Sequence, residues 1–474
     1  MPSLAMPPGP LGVHPTNRRY LAGPDGAVVY LTGSHTWANL QDIGPSGGPP
    51  FPYEEYLAFM QAYGHNFMRL WMFEHPERAP WTDVPIQFDP LPWARTGPGL
   101  AADGKPRFDL DRWNESYFAR LRERTILAGE RGIYVAVMLF QGWSLQKTSV
   151  DAGDPWPMHP FNAANNVNGV DAPYTAMDDD EHASLHSLQN VGALARQEQY
   201  VRKVIETVND LDNVLYEIIN EGGATTWQYH MIELIHTIEA QLPKQHPVGM
   251  THRIAPRQLN ADLFASPAEW VSPAKEPLEW LVPGSVFLQD YQNDPPVNDG
   301  RKVILNDTDH LWGHGGNPQW VWKSFLRGHN PIFMDPWWPL HAETDPALTP
   351  WTFVGGISKG DRDYPDWEPT RRAMGDTRRY AERMDLADMA PRPDLASTRY
   401  CLANPGHEYL VYLPQGGSVT VDLCCAEGLF NAEWFLPALG RTMPGAYPLP
   451  GGDYVVMTAP YTGDAVLYLK RREG

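Results

Sequence analysis

Two short stretches of this chain hold carboxylates where chemistry is possible. In Asn220-Glu221-Gly222-Gly223 a glutamate closes an apolar run, and in Asn306-Asp307-Thr308-Asp309-His310 two aspartates follow another. A carboxylic acid facing a carboxylate is the equipment for cleaving a glycosidic bond. The acid protonates the leaving oxygen, while the second group attacks the anomeric carbon or activates a water. Glu221 takes the acid/base role in this reading. Asn220 beside it can bond a sugar hydroxyl next to the scissile bond, and Gly222-Gly223 lets the chain turn sharply afterwards. The partner is Asp307, or else Asp309, as nucleophile of a retaining enzyme or base of an inverting one, with His310 placed to orient it. Carboxyl groups about 5–5.5 Å apart mean retention, and about 6.5–9.5 Å means inversion.

Other polar and aromatic residues gather after apolar runs in the same manner: His35 and Trp37; Arg69 and Trp71, then Glu74 and His75; Gln141 and Trp143; His252; Asp290 and Tyr291; Trp312; and Asp335, Trp337 and Trp338. Indole faces suit the C–H faces of sugar rings, although tryptophan also fills cores and closes barrel ends. We therefore expect substrate contacts from His35, Trp37, Arg69, Trp71, Gln141, Trp143, Asn220, His252, Tyr291, His310, Trp312, Asp335 and Trp337. The acidic run Asp178-Asp179-Asp180-Glu181 lacks the spacing of a calcium loop and reads as a solvated segment. No cofactor and no metal is expected. Two rival readings remain. One is a metal-dependent hydrolase on His35, His252, Asp307 and His310, which lacks the His-x-His pair such enzymes carry on their first strand. The other is a glycan-binding protein without catalysis.

The elements that must position these residues follow a repeated theme of β-branched run, loop and amphipathic stretch. Strands are expected at 28–32, 67–71, 134–140, 214–219, 248–251, 286–289, 303–305 and 331–334, as mostly continuous apolar runs suited to parallel strands buried on both faces. Helical spacing marks 53–63, 110–131, 197–208 and 227–242. Eight alternations imply an α/β fold, a (β/α)₈ barrel whose active site lies at the C-terminal ends of its strands. A hairpin at 19–30 precedes the barrel, and the long loops 72–108 and 141–196 would fall on its catalytic face. After a Pro-rich stretch at 385–395, short alternating strands at 408–413, 418–423, 432–436, 454–459 and 465–470 read as a small antiparallel β-sandwich. The expected domains are 1–385, the barrel with its hairpin, and 396–474, the sandwich.

The bulk numbers narrow the partners. A 474-residue chain of net charge −20 repels phosphate backbones and anionic lipid, which argues against nucleic acid and membranes and leaves an oligo- or polysaccharide. The N-terminal residues lack a basic patch followed by an apolar core, so the chain reads as cytoplasmic, or as secreted with its leader removed. Of the three cysteines, Cys401, Cys424 and Cys425, all are expected as buried free thiols, with a Cys401–Cys424 bridge as the alternative.

Taken together, these residues resemble the clan of retaining (β/α)₈ glycoside hydrolases that includes the cellulase-like enzymes. Its marks are Arg on strand 2, Asn-Glu on strand 4, His after strand 5, Tyr after strand 6, a carboxylate on strand 7 and Trp on strand 8. The matching residues here are Arg69, Asn220-Glu221, His252, Tyr291, Asp307 or Asp309, and Trp337. The segments YLTGSHTWANLQD, NFMRLWMFE and NDTDHLWG look like bacterial cellulase-like or apiosidase-like proteins. The tail, EYLVYLP through TAPYTGDAVLYLK, resembles the β-sandwich often called collagen-binding in such proteins, a likeness of fold and not of binding. The resemblance implies a retaining glycosidase. The chain departs from it in carrying Asp where the clan's strand-7 nucleophile is Glu.

Overall fold

The computed structural model describes residues 8–44, 46–79, 82–145, 153–172, 184–253, 258–276, 289–313, 315–335, 337, 367–445 and 447–472, without the side chains of 82–84. Its centre is a (β/α)₈ barrel. The strands are β1 (Gly33–His35), β2 (Phe67–Leu70), β3 (Tyr134–Gln141), β4 (Val214–Asn220), β5 (Val248–Thr251), β6 (Trp270–Ser272), β7 (Val303–Asp307) and β8 (Asn330–Met334). They pair in parallel in the order β1-β8-β7-β6-β5-β4-β3-β2. Asn66 closes the ring between β1 and β2. Its backbone N–H donates to Thr32 O, while its side chain accepts from Thr32 N–H and donates to Tyr30 O.

Seven helices lie among the described residues: α1 (Tyr53–Ala62), α2 (Glu115–Gly129), α3 (Val191–Val208), α4 (Thr225–Glu239), α5 (Asn260–Ala265), α6 (Pro318–Leu326) and α7 (Glu368–Arg383). Asn114, Asn190 and Asn317 cap α2, α3 and α6 through their side-chain oxygens, satisfying amides that have no partner inside the helix. None of the described helices is long and apolar enough to cross a membrane.

β3 and β4 are buried along their whole length, which explains their unbroken apolar sequence. Within the ring, Phe67, Ala136, Leu215, Trp270, Val303, Leu305 and Ile332 form a separate apolar cluster drawn from six strands. Gly249 on β5 makes room for it, because a Cβ there would meet the Trp270 indole at 1.8 Å. Two residues beyond Phe67, Leu215 and Leu305 stand Arg69, Glu217 and Asp307, on the same face by the two-residue repeat of a strand. The apolar plug thus floors a polar layer.

Three expectations shift. Residues 28–29 belong to a small antiparallel sheet with Gly12–Val13 and Leu21–Ala22, the expected hairpin, and the first barrel strand starts later, at Gly33. The sixth strand is Trp270–Ser272 and not 286–289; Gln289 makes only an isolated bridge to Glu276, and 286–288 lie outside the described residues. The helix expected from 110 starts at Glu115, since Pro106–Trp113 pairs with Trp93–Leu100 in a hairpin.

Beyond α7 come antiparallel strands, with short 3₁₀ turns at Pro393–Leu395 and Pro437–Leu439: β9 (Ala390–Pro391), β10 (Cys401–Asn404), β11 (Glu408–Leu413), β12 (Ser418–Asp422), β13 (Leu429–Leu436), β14 (Arg441–Pro444), β15 (Leu449–Pro450), β16 (Tyr454–Thr458) and β17 (Ala465–Arg471). β12 and β16 form a two-stranded sheet and the other seven strands a second one, with Val411, Val419, Val421, Phe430, Trp434 and Leu467 in one apolar core. All three cysteines are free; Cys401 is buried, whereas Cys424 and Cys425 are exposed, against the expectation of burial.

Candidate active site at the barrel mouth

Arg69 on β2 organises the site. Its five N–H donors all have carboxylate or amide acceptors. Nε donates to Glu217 Oε2 at 2.8 Å and Nη2 to Glu217 Oε1 at 2.5 Å and Asn220 Oδ1 at 2.6 Å. Nη1 donates to Asp307 Oδ2 at 3.0 Å and Asp309 Oδ2 at 2.9 Å. The guanidinium also lies 4.6 Å from the centre of the Trp71 ring. Burial works against its charge, but Glu217 and Asp307 outweigh burial and hold it protonated.

Asp307, at the end of β7, has both oxygens engaged. Oδ1 accepts from His35 Nε2 at 3.0 Å and from the Asp309 backbone N–H at 2.9 Å, and Oδ2 takes the arginine. The tautomer of His35 follows from its other neighbour. The Trp71 indole N–H can only donate, so Nδ1 of His35 accepts it at 2.9 Å and Nε2 carries the proton given to Asp307. Burial alone would raise Asp307, yet His35 and Arg69 hold it well below the usual carboxylate range.

Asp309 sits one short turn further on, in the 3₁₀ segment Thr308–His310 that the Asp307 carboxylate caps. Burial, opposed by Arg69 and reinforced by the Asp307 charge, raises its carboxyl to about 6. Carboxyl oxygens of Glu221 and Asp309 and a ring nitrogen of His310 all lie within 4.8 Å of one another. His310 Nδ1 is 2.9 Å from Ser272 Oγ on β6, and its Nε2 is 3.8 Å from Asp309 Oδ2, buried and without a hydrogen bond. Burial pushes His310 down to about 3, so it is neutral near pH 7.

Glu221 is only 3% exposed and holds a left-handed backbone, φ 49°, immediately after β4. Gly222 sets this turn. Its Cα packs so closely against Gly142 after β3 that a Cβ on it would lie 2.6 Å from the Gly142 Cα. The ends of β3 and β4 are thus joined glycine to glycine, with Gln141 beside Asn220 in register. Gln141 accepts the Trp143 N–H through Oε1 and leaves its buried Nε2 without a partner. His252, after β5, is fully buried with neither ring nitrogen hydrogen-bonded, Nε2 standing 3.5 Å from Glu276 Oε1. Trp37 bridges Trp71 and Trp143 at 5.8 and 5.4 Å between ring centres, an aromatic wall on the β1–β3 side. Trp312 stands half-buried against Trp320 after β7.

Three expected contacts point elsewhere. Tyr291 stacks on His329, which precedes β8, and its carbonyl accepts from Trp320 of α6, so it lies behind the barrel wall. Asp335 gives both oxygens to Arg371 of α7, at 2.8 and 2.6 Å. Trp337 packs on Phe51, Tyr56 and Phe59, in and around α1, as core. Trp338 and residues 178–181 lie outside the described residues. The metal set His35, His252, Asp307 and His310 is not assembled, because His35 and Asp307 are spent on each other. Sequence reasoning overlooked Glu217 and Ser272. A lone charge inside VLYEIIN was the available signal for the first; for the second there was none.

With this geometry in hand, comparison with known proteins is informative about fold. A sequence family described as a domain of unknown function, DUF6298, matches residues 73–254, a span that includes Gln141, Trp143, Asn220, Glu221 and His252. No curated protein sequence matches the chain significantly. A glycoside hydrolase family 5 protein from Bacteroides vulgatus superposes with a TM-score of 0.60 at 13% identity, over 98% of this chain and 94% of the other. A second structure, described as a glycoside hydrolase, gives 0.58 at 13% identity, over 98% and 97%. The fold is that of glycoside hydrolases. The identities are low enough that the likeness extends to architecture alone.

Proposed function

We propose that the chain is a retaining glycoside hydrolase of oligo- or polysaccharides, with Glu221 as acid/base and Asp309 as nucleophile. The observation that carries this is the approach of one carboxyl oxygen each of Glu221 and Asp309 to within 4.8 Å at the mouth of the barrel, close enough for the two groups to flank one anomeric carbon. Asp309 is preferred to Asp307 because Asp307 is enclosed by His35, Arg69 and the Asp309 amide. Asp309 gives only Oδ2 to Arg69, and its Oδ1 takes no hydrogen bond from the described residues.

In the first step Asp309 attacks the anomeric carbon as the glycosidic C–O bond breaks and Glu221 hands its proton to the leaving oxygen. In the second, Glu221 takes a proton from water, whose oxygen displaces Asp309 from the sugar. Arg69 steadies the carboxylate through both steps. Gln141 Nε2 and the His252 ring offer unspent polar atoms to hydroxyls, and the half-buried Trp143, backed by the buried Trp37 and Trp71, offers a face to the ring C–H groups. Among the described residues the Arg69 guanidinium meets three carboxylates, Glu217, Asp307 and Asp309, so a neutral sugar suits the site better than a uronic acid.

The test is turnover by Glu221→Gln, Asp309→Asn and Asp307→Asn on a glycoside panel, with the first-formed anomer read by NMR. Retention of configuration is expected, together with loss of turnover by about a thousandfold or more in the first two variants. An inverted product, or full activity in Asp309→Asn, overturns the assignment.

A further inference from the structure

Beside the catalytic pair stands a buried imidazole with one nitrogen unspent. Glu221, Asp309 and His310 each bring one potential ligand atom to within 4.8 Å of the others, and all three residues are buried. If the Ser272 hydroxyl accepts from Nδ1, the proton is fixed there and Nε2 turns a bare lone pair toward Asp309, with no hydrogen bond to it from the described residues. Fixing a histidine by a hydrogen bond at its far nitrogen is how proteins prepare an imidazole to bind a metal.

We propose that Glu221, Asp309 and His310 bind one zinc-like divalent cation, in exclusion of the sugar. The site rests on the same carboxylate pair as the glycosidase reading but not on its chemistry. One imidazole nitrogen and two carboxylate oxygens form a borderline ligand set, suited to Zn²⁺ and poorer for Ca²⁺ or Mg²⁺, which favour all-oxygen shells. A tetrahedral zinc with bonds of about 2.0–2.2 Å needs ligand atoms roughly 3.3–3.6 Å apart. The 3.8 Å from His310 Nε2 to Asp309 Oδ2 is near that, and the outer limit of 4.8 Å for the trio closes by side-chain rotation on the order of 1 Å. A fourth position stays open to water. His252, on the next strand, holds two further unspent ring nitrogens. The ion would stand where the anomeric carbon goes, so ion and saccharide compete.

The experiment is calorimetric titration of ZnCl₂ into the chelator-treated full chain at neutral pH. One ion per chain is expected, with binding weakened about tenfold or more in Glu221→Gln and His310→Gln. Because His310 is buried, Ser272→Ala serves as a gentler variant with a smaller loss, and near-ultraviolet circular dichroism establishes that each variant is folded. Cobalt in place of zinc should give the intense visible bands of a four-coordinate site in the parent and not in His310→Gln. No zinc uptake by the parent, or equal uptake by the folded variants, overturns the proposal. Heat of binding needs no turnover. A chain that binds zinc but cleaves no glycoside would therefore sink the glycosidase reading alone, and one that cleaves but ignores zinc would sink only this site.

Discussion

At the scale of single residues, Arg69 is the position on which the site turns, because a buried guanidinium with five satisfied donors fixes four other side chains at once. Glu217 matters as its counterweight. Glu217→Gln keeps the shape but leaves a buried cation with one full partner fewer; breaking a buried pair of this kind costs about 3–5 kcal/mol. Chemical denaturation should show that loss, and an unchanged midpoint would mean that the pair is not what holds the arginine. Arg69→Lys is no rescue, since an ammonium has three donors and no planar fork, so it should lose both stability and turnover. The same residues show what sequence can and cannot disclose. Arg69, Asn220, Glu221, Asp309 and His310 were legible because polar residues ending apolar runs are unusual unless something needs them there. Asp307 was preferred to Asp309 as text, and the structure reverses that order. Only the hydrogen bonds of Asp307 to His35 and the Asp309 amide separate them. Asp335 and Trp337 misled because an ion pair with α7 and a cluster on α1 use residue types that a sugar site also uses.

At the scale of elements, the acid/base depends on a contact with no side chain in it. Gly142 and Gly222 bring the ends of β3 and β4 together, and the turn they permit throws Glu221 into the mouth. In Gly222→Ala the new methyl would stand 2.6 Å from the Gly142 Cα, and backbone cannot move aside as a side chain does. Overpacking of this sort costs about 1–3 kcal/mol, and here it should also displace Glu221, so kcat should fall more than KM rises. Equal kcat in the folded variant would show that the glycine contact does not aim the acid. Barrel strands of five to eight residues, β3, β4, β7 and β8, were readable from apolar runs. β6 was not, because Trp270-Val271-Ser272 is too short to show a period and fits only through the space left by Gly249. The helix α7 carries a prediction of its own. Burial, only partly countered by Arg379 and Arg372, raises Asp376 to about 6. The folded state therefore binds this proton more tightly than the unfolded chain does, so stability falls as pH rises from about 4 through 6. Asp376→Asn should melt higher than the parent at pH 7.5 and about level with it at pH 4. A gap that is the same at both pH values would assign the gain to something other than ionisation.

At the scale of the whole molecule, barrel and C-terminal sheets share a core. Trp322 of α6 stacks on Tyr412 of β11, ring centres 6.1 Å apart, and packs against Phe435 of β13 at 5.8 Å. Tyr380 and Arg383, near the end of α7, both bond Glu433 of β13. Leu402, Leu410, Phe435, Val466 and Tyr468 belong to the same apolar cluster as the outer faces of the barrel strands. Removing the sheets would expose Trp322 and Phe435's partners on α6 and α7 as one apolar patch and would strand Tyr380 without its carboxylate. We expect a chain ending near residue 385 to be insoluble or to melt far below the full protein. The full chain should unfold in a single calorimetric transition, because two units joined through a common core cannot lose one side without uncovering the other. Two separated transitions, or a soluble truncated barrel with full activity, would mean that the contact is a docking surface between independent domains. The C-terminal sheets would then owe their place to something other than support of the barrel.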